Sequence, residues 1–236
     1  MTSIPTPFDA VWPTVDAIPG WLTHEQAGVL HDAALAAGPG ARVVEIGSHL
    51  GRSTVTLATA LPEGAVLTAV DPFGPDWRYG LEDTEARCRE HLASAGVAHR
   101  VDLRVATGRE VLAGWHEPVA VVYVDGKHDY LSVVADLRWE RHLVPLGRLL
   151  VHDAYSSLGV TLGLLRVLLT TSRLRYVGRT GSLAVLEHAR PTLRDRARAV
   201  VPLPWFLRNL VVKVLLRLRL AALARRLGHD GPDDPF

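Results

Sequence analysis

Val43-Val44-Glu45-Ile46-Gly47-Ser48-His49-Leu50-Gly51-Arg52-Ser53-Thr54 joins an apolar run to an acidic residue and then turns through glycine into a segment of helical composition. A buried strand, a glycine turn and a helix in that order set backbone N–H groups and a helix N-terminus beside the strand's tip, which is how α/β folds hold nucleotide-type cofactors. The glycines stand as E-x-G-x-x-x-G and not as the G-x-G-x-x-G of dinucleotide sites. The bland alternative is a structural strand-to-helix turn that happens to hold two glycines.

Working outward, strand and helix signals alternate. Thr23 to Gln26 fits a T-x-x-Q capping box ahead of an amphipathic helix that runs to about Ala37 and stops at Gly38-Pro39-Gly40. Arg42 to Ile46 reads as the first strand, followed by a helix to about Leu61. Val66 to Val70 is the second strand, with Asp71 at its tip. A helix over 82–95, a strand over 101–105 and a short helix over 108–113 follow. Val119 to Val124 is the most apolar strand and ends at Asp125. Tyr130 to Leu143 reads as a helix, Arg148 to Val151 as a fifth strand ending at His152-Asp153, and Leu158 to Leu169 as a helix. Arg175–Val177 and Leu183–Glu187 flank Gly178-Arg179-Thr180-Gly181-Ser182, a hairpin signal. This alternation predicts an α/β fold with a mostly parallel sheet, helices on both faces, and one antiparallel strand from the terminal hairpin. Residues 1–20 hold four prolines and read as an irregular arm.

Composition bounds the rest. The 236 residues suffice for one large α/β domain and an appendage, and 48% hydrophobic with 22% charged residues fits a folded globule. Cys88 is the single cysteine, so an intrachain disulfide is excluded and a reducing, cytoplasmic setting is expected. The N-terminus lacks a basic segment followed by an apolar core, so no signal peptide is expected. Charge is uneven: residues 190–236 carry ten Lys/Arg against four Asp/Glu, net +6, and the remainder is net −5. Three parts are expected: an arm and cap helix (1–40), a cofactor-binding domain (41–189) and a basic, apolar helical extension (190–236).

Ligands of open α/β sheets bind beyond the carboxyl ends of the strands. Glu45, Asp71, Asp125 and Asp153 all fall at that rim. Each alone could be a helix cap, but four on one edge suggest a site. Glu45 and Asp71 lie near the separation of an acid that grips ribose hydroxyls.

With VVEIGSHLGRSTVTLA, LTAVDPFG, VVYVDGKHDY and GRLLVHDAY in that order, the chain resembles class I S-adenosylmethionine-dependent methyltransferases over roughly residues 21–188. More narrowly it is similar to the metal-dependent O-methyltransferases, which include catechol O-methyltransferase and the sugar O-methyltransferases of actinobacterial natural-product and polysaccharide pathways. The resemblance implies a Rossmann-like, seven-stranded sheet with its last strand antiparallel. It implies that Glu45, Gly47, Ser48, His49 and Ser53 surround the methionine part of the cofactor. Asp71 would take the ribose hydroxyls, and Thr107, Gly108 and Arg109 would lie near the adenine. Asp125 would sit by the sulfonium and share a divalent metal, Mg²⁺ by family habit, with His152 and Asp153. The family usually carries Asp-Asp or Asp-Asn where this chain has His152-Asp153; oxygen donors suit Mg²⁺, whereas an imidazole suits a transition metal.

The reaction implied is an in-line displacement by a hydroxyl oxygen on an electrophilic S–CH₃, assisted by a cation and a base. His128 stands where the catechol enzymes carry a basic lysine and is the expected general base beside Asp125, with Lys127, Asp129 and His152 as rivals. Phe73, Trp77, Arg78 and Tyr79 in the loop 72–81 are candidates to cover the acceptor, and His24 and Glu25 are weaker ones. The resemblance leans towards a sugar hydroxyl; a phenolic or polyketide hydroxyl is the alternative.

Residues 203–227, LPWFLRNLVVKVLLRLRLAALARRL, are apolar and cationic. Arginines interrupt the run too often for a membrane span. An interfacial helix on anionic lipid at the inner membrane face is one reading; packing on the domain or on a homodimer partner is the other. Arginines interleaved with leucines disfavour nucleic acid as a partner.

Overall fold

The computed structural model describes residues 7–74, 83–170 and 173–229. Seven strands form one sheet in the order β3-β2-β1-β4-β5-β7-β6. They are β1 (Arg42–Ile46), β2 (Val66–Asp71), β3 (Val101–Val105), β4 (Val119–Val124), β5 (Leu143–Val151), β6 (Leu174–Thr180) and β7 (Leu183–His188). All neighbours from β3 to β5 pair parallel, whereas β7 runs antiparallel to both β5 and β6. The expected Rossmann-like sheet with a C-terminal antiparallel strand is therefore present.

Alternate residues of single strands enter opposite cores, as a period of two requires. Val44, Ile46, Val122, Val124, Leu149 and Val151 face one cluster. There they meet α5 (Gly108–Ala113), α6 (Tyr130–Asp136), α7 (Leu158–Leu169), α8 (Leu193–Val200) and α9 (Leu203–Arg217). Val43, Leu67, Ala69, Val121, Tyr123 and Leu150 face the other cluster. That side is covered by α1 (Phe8–Asp16), α2 (His24–Leu35), α3 (Arg52–Ala60) and α4 (Thr84–Ser94). Burial on both faces explains why these strands are apolar runs without polar alternation. A last short helix, α10 (Ala221–Arg226), follows α9.

Three sequence expectations are corrected. Residues 8–16 form α1 despite Pro13 within it, because Val11 and Val15 bury a face against the second cluster and that packing outweighs the proline. The helix expected over 130–143 is α6 only to Asp136 and a 3₁₀ segment thereafter, and β5 begins earlier, at Leu143. The Thr23 capping box is closed in both directions, but its helix ends at Leu35. Cys88, in α4, is a buried thiol pushed up to about 12 by burial, so it is packed and unreactive.

Sheet register positions the site. Ile46 stands opposite both Val70 and Val124, and Val124 stands opposite Val151. The next residues, Gly47, Asp71, Asp125 and His152, therefore leave four adjacent strands at one level. Strand order reverses between β1 and β4, the switch point where ligands of such sheets bind.

Candidate active site

A cleft of about 940 Å³ opens along this rim. Its walls include Trp21 of the N-terminal arm, Ser48 to Leu50, Asp71, Thr107 to Arg109, Asp125 to His128, His152-Asp153 and Lys213.

The cofactor end is built around β1. Gly47 has φ +92°, and a Cβ there would lie 2.2 Å from the Asp125 carbonyl oxygen, so only glycine lets the two strand ends approach. Asp71 fastens the loop: one carboxylate oxygen accepts the N–H groups of Ser48 and His49, both at 2.9 Å, and the other accepts that of Phe73 at 2.8 Å. Gly51, also left-handed, starts α3 without a capping side chain, so the first-turn N–H groups are open to a ligand anion. His49 is itself held at φ +45°, in the sparse left-handed region where functional loops store strain.

Glu45 lies beneath the loop, fully buried. Its Oε2 accepts from Ser48 Oγ at 3.0 Å and Thr54 Oγ1 at 2.6 Å, while Oε1 has no hydrogen-bond partner among the described residues. Burial pushes the carboxyl up to about 7, against the opposing pull of the Ser53, Thr54 and Ser48 hydroxyls. Glu45 does not line the cleft; it supports the cofactor loop from below through the Ser48 and Thr54 hydroxyls. A testable consequence follows from the sign. A carboxyl with a pKa near 4.5 unfolded and about 7 folded loses stability as pH rises between those values. Glu45→Gln removes that loss, on the order of 3 kcal/mol, so thermal denaturation at pH 8 should show a more stable variant.

Thr107 caps α5 through a closed capping box with Glu110, and Gly108 packs where a Cβ would fall 2.9 Å from both Asp136 and Ile46 side-chain atoms. Arg109 and Ser53 also line the cleft.

The other end is a network of two aspartates and two histidines. Asp125 Oδ1 lies 3.3 Å from His128 Nε2 and 3.4 Å from His152 Nδ1. Asp153, held at φ +54°, places Oδ2 3.3 Å from His128 Nδ1 and Oδ1 3.6 Å from His152 Nδ1. The buried Tyr123 hydroxyl donates to Asp125 Oδ2 at 2.9 Å. Burial opposes charge on Asp125, His128 and His152, but pairing overcomes it. His152 rises to about 9, His128 rises, and Asp125 falls below the usual carboxylate range.

Hydrogen bonding fixes the form of His152. Its Nε2 faces Gln26 Oε1 at 3.3 Å, and that oxygen already accepts the Thr23 N–H, while Gln26 Nε2 donates to Ser182 Oγ at 3.1 Å. The amide orientation is thereby set. Both nitrogens of His152 face oxygen acceptors, an arrangement that favours the protonated ring, which offers no lone pair to a cation. Among the described residues no three His, Cys, Asp or Glu side chains are placed to hold a metal ion. The expected ligands Asp125, His152 and Asp153 are thus brought together, but as ion pairs and not as a metal cage.

Other candidate residues are engaged differently. His24 stacks edge-on against Trp12 at 4.8 Å and lies 3.5 Å from Asp9, away from the cleft. Asp129 caps α6 by accepting the Ser132 N–H, and Lys127 pairs with it. Trp77, Arg78 and Tyr79 lie outside the described residues. Sequence reasoning missed Gln26, whose capping signal concealed its contact with His152, and Asp136, a buried cleft carboxyl pushed up to about 7 by burial and by Asp129. It also missed Lys213, which donates to Ser156 from α9; nothing local in the sequence marks the last two.

Comparison with known proteins agrees with this geometry. Residues 44–154 match a family model described as "Methyltransferase domain". Tricin synthase 1 of Oryza sativa subsp. japonica is 31% identical over 120 residues, 49% of this chain and 44% of its own length, so the chain spans less than half of that relative. An O-methyltransferase from Bacillus cereus in complex with SAH superposes with a TM-score of 0.59 at 17% identity, covering 78% of this chain and 92% of that one. TomG of Streptomyces achromogenes, an O-methyltransferase solved with SAM, gives 0.54 at 20% identity over 80% and 92%. Residues 44–154 are thus similar to a methyltransferase domain, and the chain shares the fold of these O-methyltransferase structures.

Proposed function

We propose that the protein is an O-methyltransferase moving the methyl group of S-adenosylmethionine to a hydroxyl oxygen. One observation carries this reading: the glycine loop and the histidine–aspartate network meet at Gly47 and Asp125, so a donor site and a proton acceptor share one cleft. The bound cofactor supplies an electrophilic methyl; the new O–C bond forms as the C–S bond breaks. Asp125, kept anionic, faces the sulfonium end. His128 is the more exposed imidazole, at 38% against 5% for His152, and is the one an acceptor can reach. In its neutral form it takes the hydroxyl proton once the acceptor oxygen replaces Asp125 Oδ1 at Nε2, while Asp153 at Nδ1 orients the ring and stabilises the resulting imidazolium. Trp21, beside the His49 ring, narrows the entrance.

No step is routed through a dication, because the donor set does not fit one. The acceptor is a sugar hydroxyl on the sequence resemblance. A phenolic hydroxyl is supported by the similarity to Tricin synthase 1 and by acidity, since a phenol of pKa about 10 yields its proton to imidazole more readily than a sugar alcohol. Transfer from labelled S-adenosylmethionine to glycosides and to catechol or flavonoid phenols, with and without EDTA, separates these readings. Activity should persist in EDTA. Loss restored by added Mg²⁺ would reinstate the metal, and no binding of S-adenosylhomocysteine to folded protein would overturn the proposal.

A further inference from the structure

The C-terminal helices present a surface that methyl transfer leaves unused. One face of α9 is docked on the domain: Phe206, Asn209 and Val212 are buried, and the Arg179 guanidinium lies 4.0 Å from the Trp205 ring centre. Tyr155 donates to the Ala199 carbonyl of α8 at 2.6 Å, and Lys213 Nζ donates to the Ser156 carbonyl at 3.3 Å. The outward face carries Leu207, Leu210, Val211, Val214 and Leu218, exposed by 38–63%. Their spacing of i, i+3, i+4, i+7 and i+11 is one stripe of a helix. Leu220, Leu223 and Leu227 extend the exposed apolar set along α10. From residue 196 to 227 there are eight Lys/Arg and no Asp/Glu, and Arg217, Arg219, Arg225 and Arg226 are exposed.

We propose that this face seats the protein on an anionic lipid bilayer, with the apolar stripe among the acyl chains and the arginines at the phosphates. Exposed leucines and valines in register cost free energy in water and recover it in an interface. Charge selects the occupant: a second copy on the same face would set the exposed Arg217, Arg219, Arg225 and Arg226 against their like, whereas an anionic headgroup layer neutralises them. Residues 193–217 are long and apolar enough to cross a membrane by length and hydropathy. Their docked face and the bonds from Tyr155 and Lys213 keep them lying on the domain, so they rest along a bilayer and do not span it. Lys213 also lines the cleft, so the seated helix forms part of the wall of the methyl-transfer site. The proposal itself does not depend on that activity.

The test is co-sedimentation of the full chain with vesicles of phosphatidylcholine alone and of equimolar phosphatidylcholine and phosphatidylglycerol. Binding is expected to the anionic vesicles only, weakening as salt is raised. The variant R217Q/R219Q/R225Q/R226Q should lose about fivefold in partitioning for each arginine removed. L210S/V214S, which alters exposed positions only, should lower binding while circular dichroism stays unchanged. Folded protein that stays in the supernatant with anionic vesicles, or variants that bind like the wild type, would overturn the proposal. So would a wild-type dimer in analytical ultracentrifugation that L210S/V214S converts to monomer, because the stripe would then belong to a second copy.

Discussion

Gly47→Ala is expected to abolish cofactor binding, with the dissociation constant for S-adenosylhomocysteine rising by about 10²-fold or more in calorimetry. The added Cβ would meet the Asp125 carbonyl oxygen at 2.2 Å, its carbon at 2.6 Å and the Gly126 nitrogen at 2.9 Å. All three are main-chain atoms, so no side chain can swing aside. Relief requires parting β1 from β4 where Asp125 donates its N–H to the Ile46 carbonyl at 2.8 Å. The φ of +92° adds left-handed strain. Together these should cost about 3–5 kcal/mol of stability. Gly38→Ala is the control: it has φ +89° but nothing within 4 Å of a Cβ, so it isolates the backbone term. It should lose about 1–2 kcal/mol and keep its affinity. A Gly47→Ala protein that binds like the wild type would remove the loop from the site.

The second large effect is on turnover. His128→Ala should lower kcat by about 10²–10⁴-fold, the usual contribution of a positioned base, with a smaller change in cofactor affinity. The pH profile supplies the signature. A base works when neutral, and His128 is held above the ordinary imidazole value of 6.5: burial would lower it, but the bond to and charge of Asp125, with Asp153, prevail. In the wild type, kcat/KM should therefore climb with pH through an inflection above 6.5, and the variant should lack that limb. A change confined to acceptor KM would make His128 a binding group. His152→Ala should behave differently. It strips the buried carboxylates of their imidazolium and Gln26 of a donor, so its main effect should be a lower melting temperature, about 3–5 kcal/mol in stability.

Much of this was legible in the chain. Strands β1, β3 and β4 and helices α5 and α7 stand at the boundaries read from the sequence; β4 and α7 are apolar runs, and Thr107 caps the start of α5. The rim acids could be ordered along the sheet because a parallel sheet puts every strand's carboxyl end on one edge. Contacts between distant segments could not be read. Gln26 and His152 are 126 positions apart, and no local pattern pairs them. The donor set for a cation looked complete when Asp125, His152 and Asp153 were counted by type. Only the direction of the His152 imidazole reveals that this ring is turned towards Asp125 and Gln26. The α1 helix was hidden by its proline, since the hydrophobic surface that stabilises it belongs to other parts of the chain.

Gln26 has a wider consequence. Its amide joins the start of α2, the β6–β7 turn through Thr180 and Ser182, and the imidazole of His152. Three segments far apart in the chain thus share one side chain as a common fastening. Exchanging the N-terminal 40 residues for those of another protein, to graft a new acceptor preference, would unlatch the hairpin and release the His152 ring together. Such chimaeras should succeed only when the cap and the turn are transplanted as a matched pair.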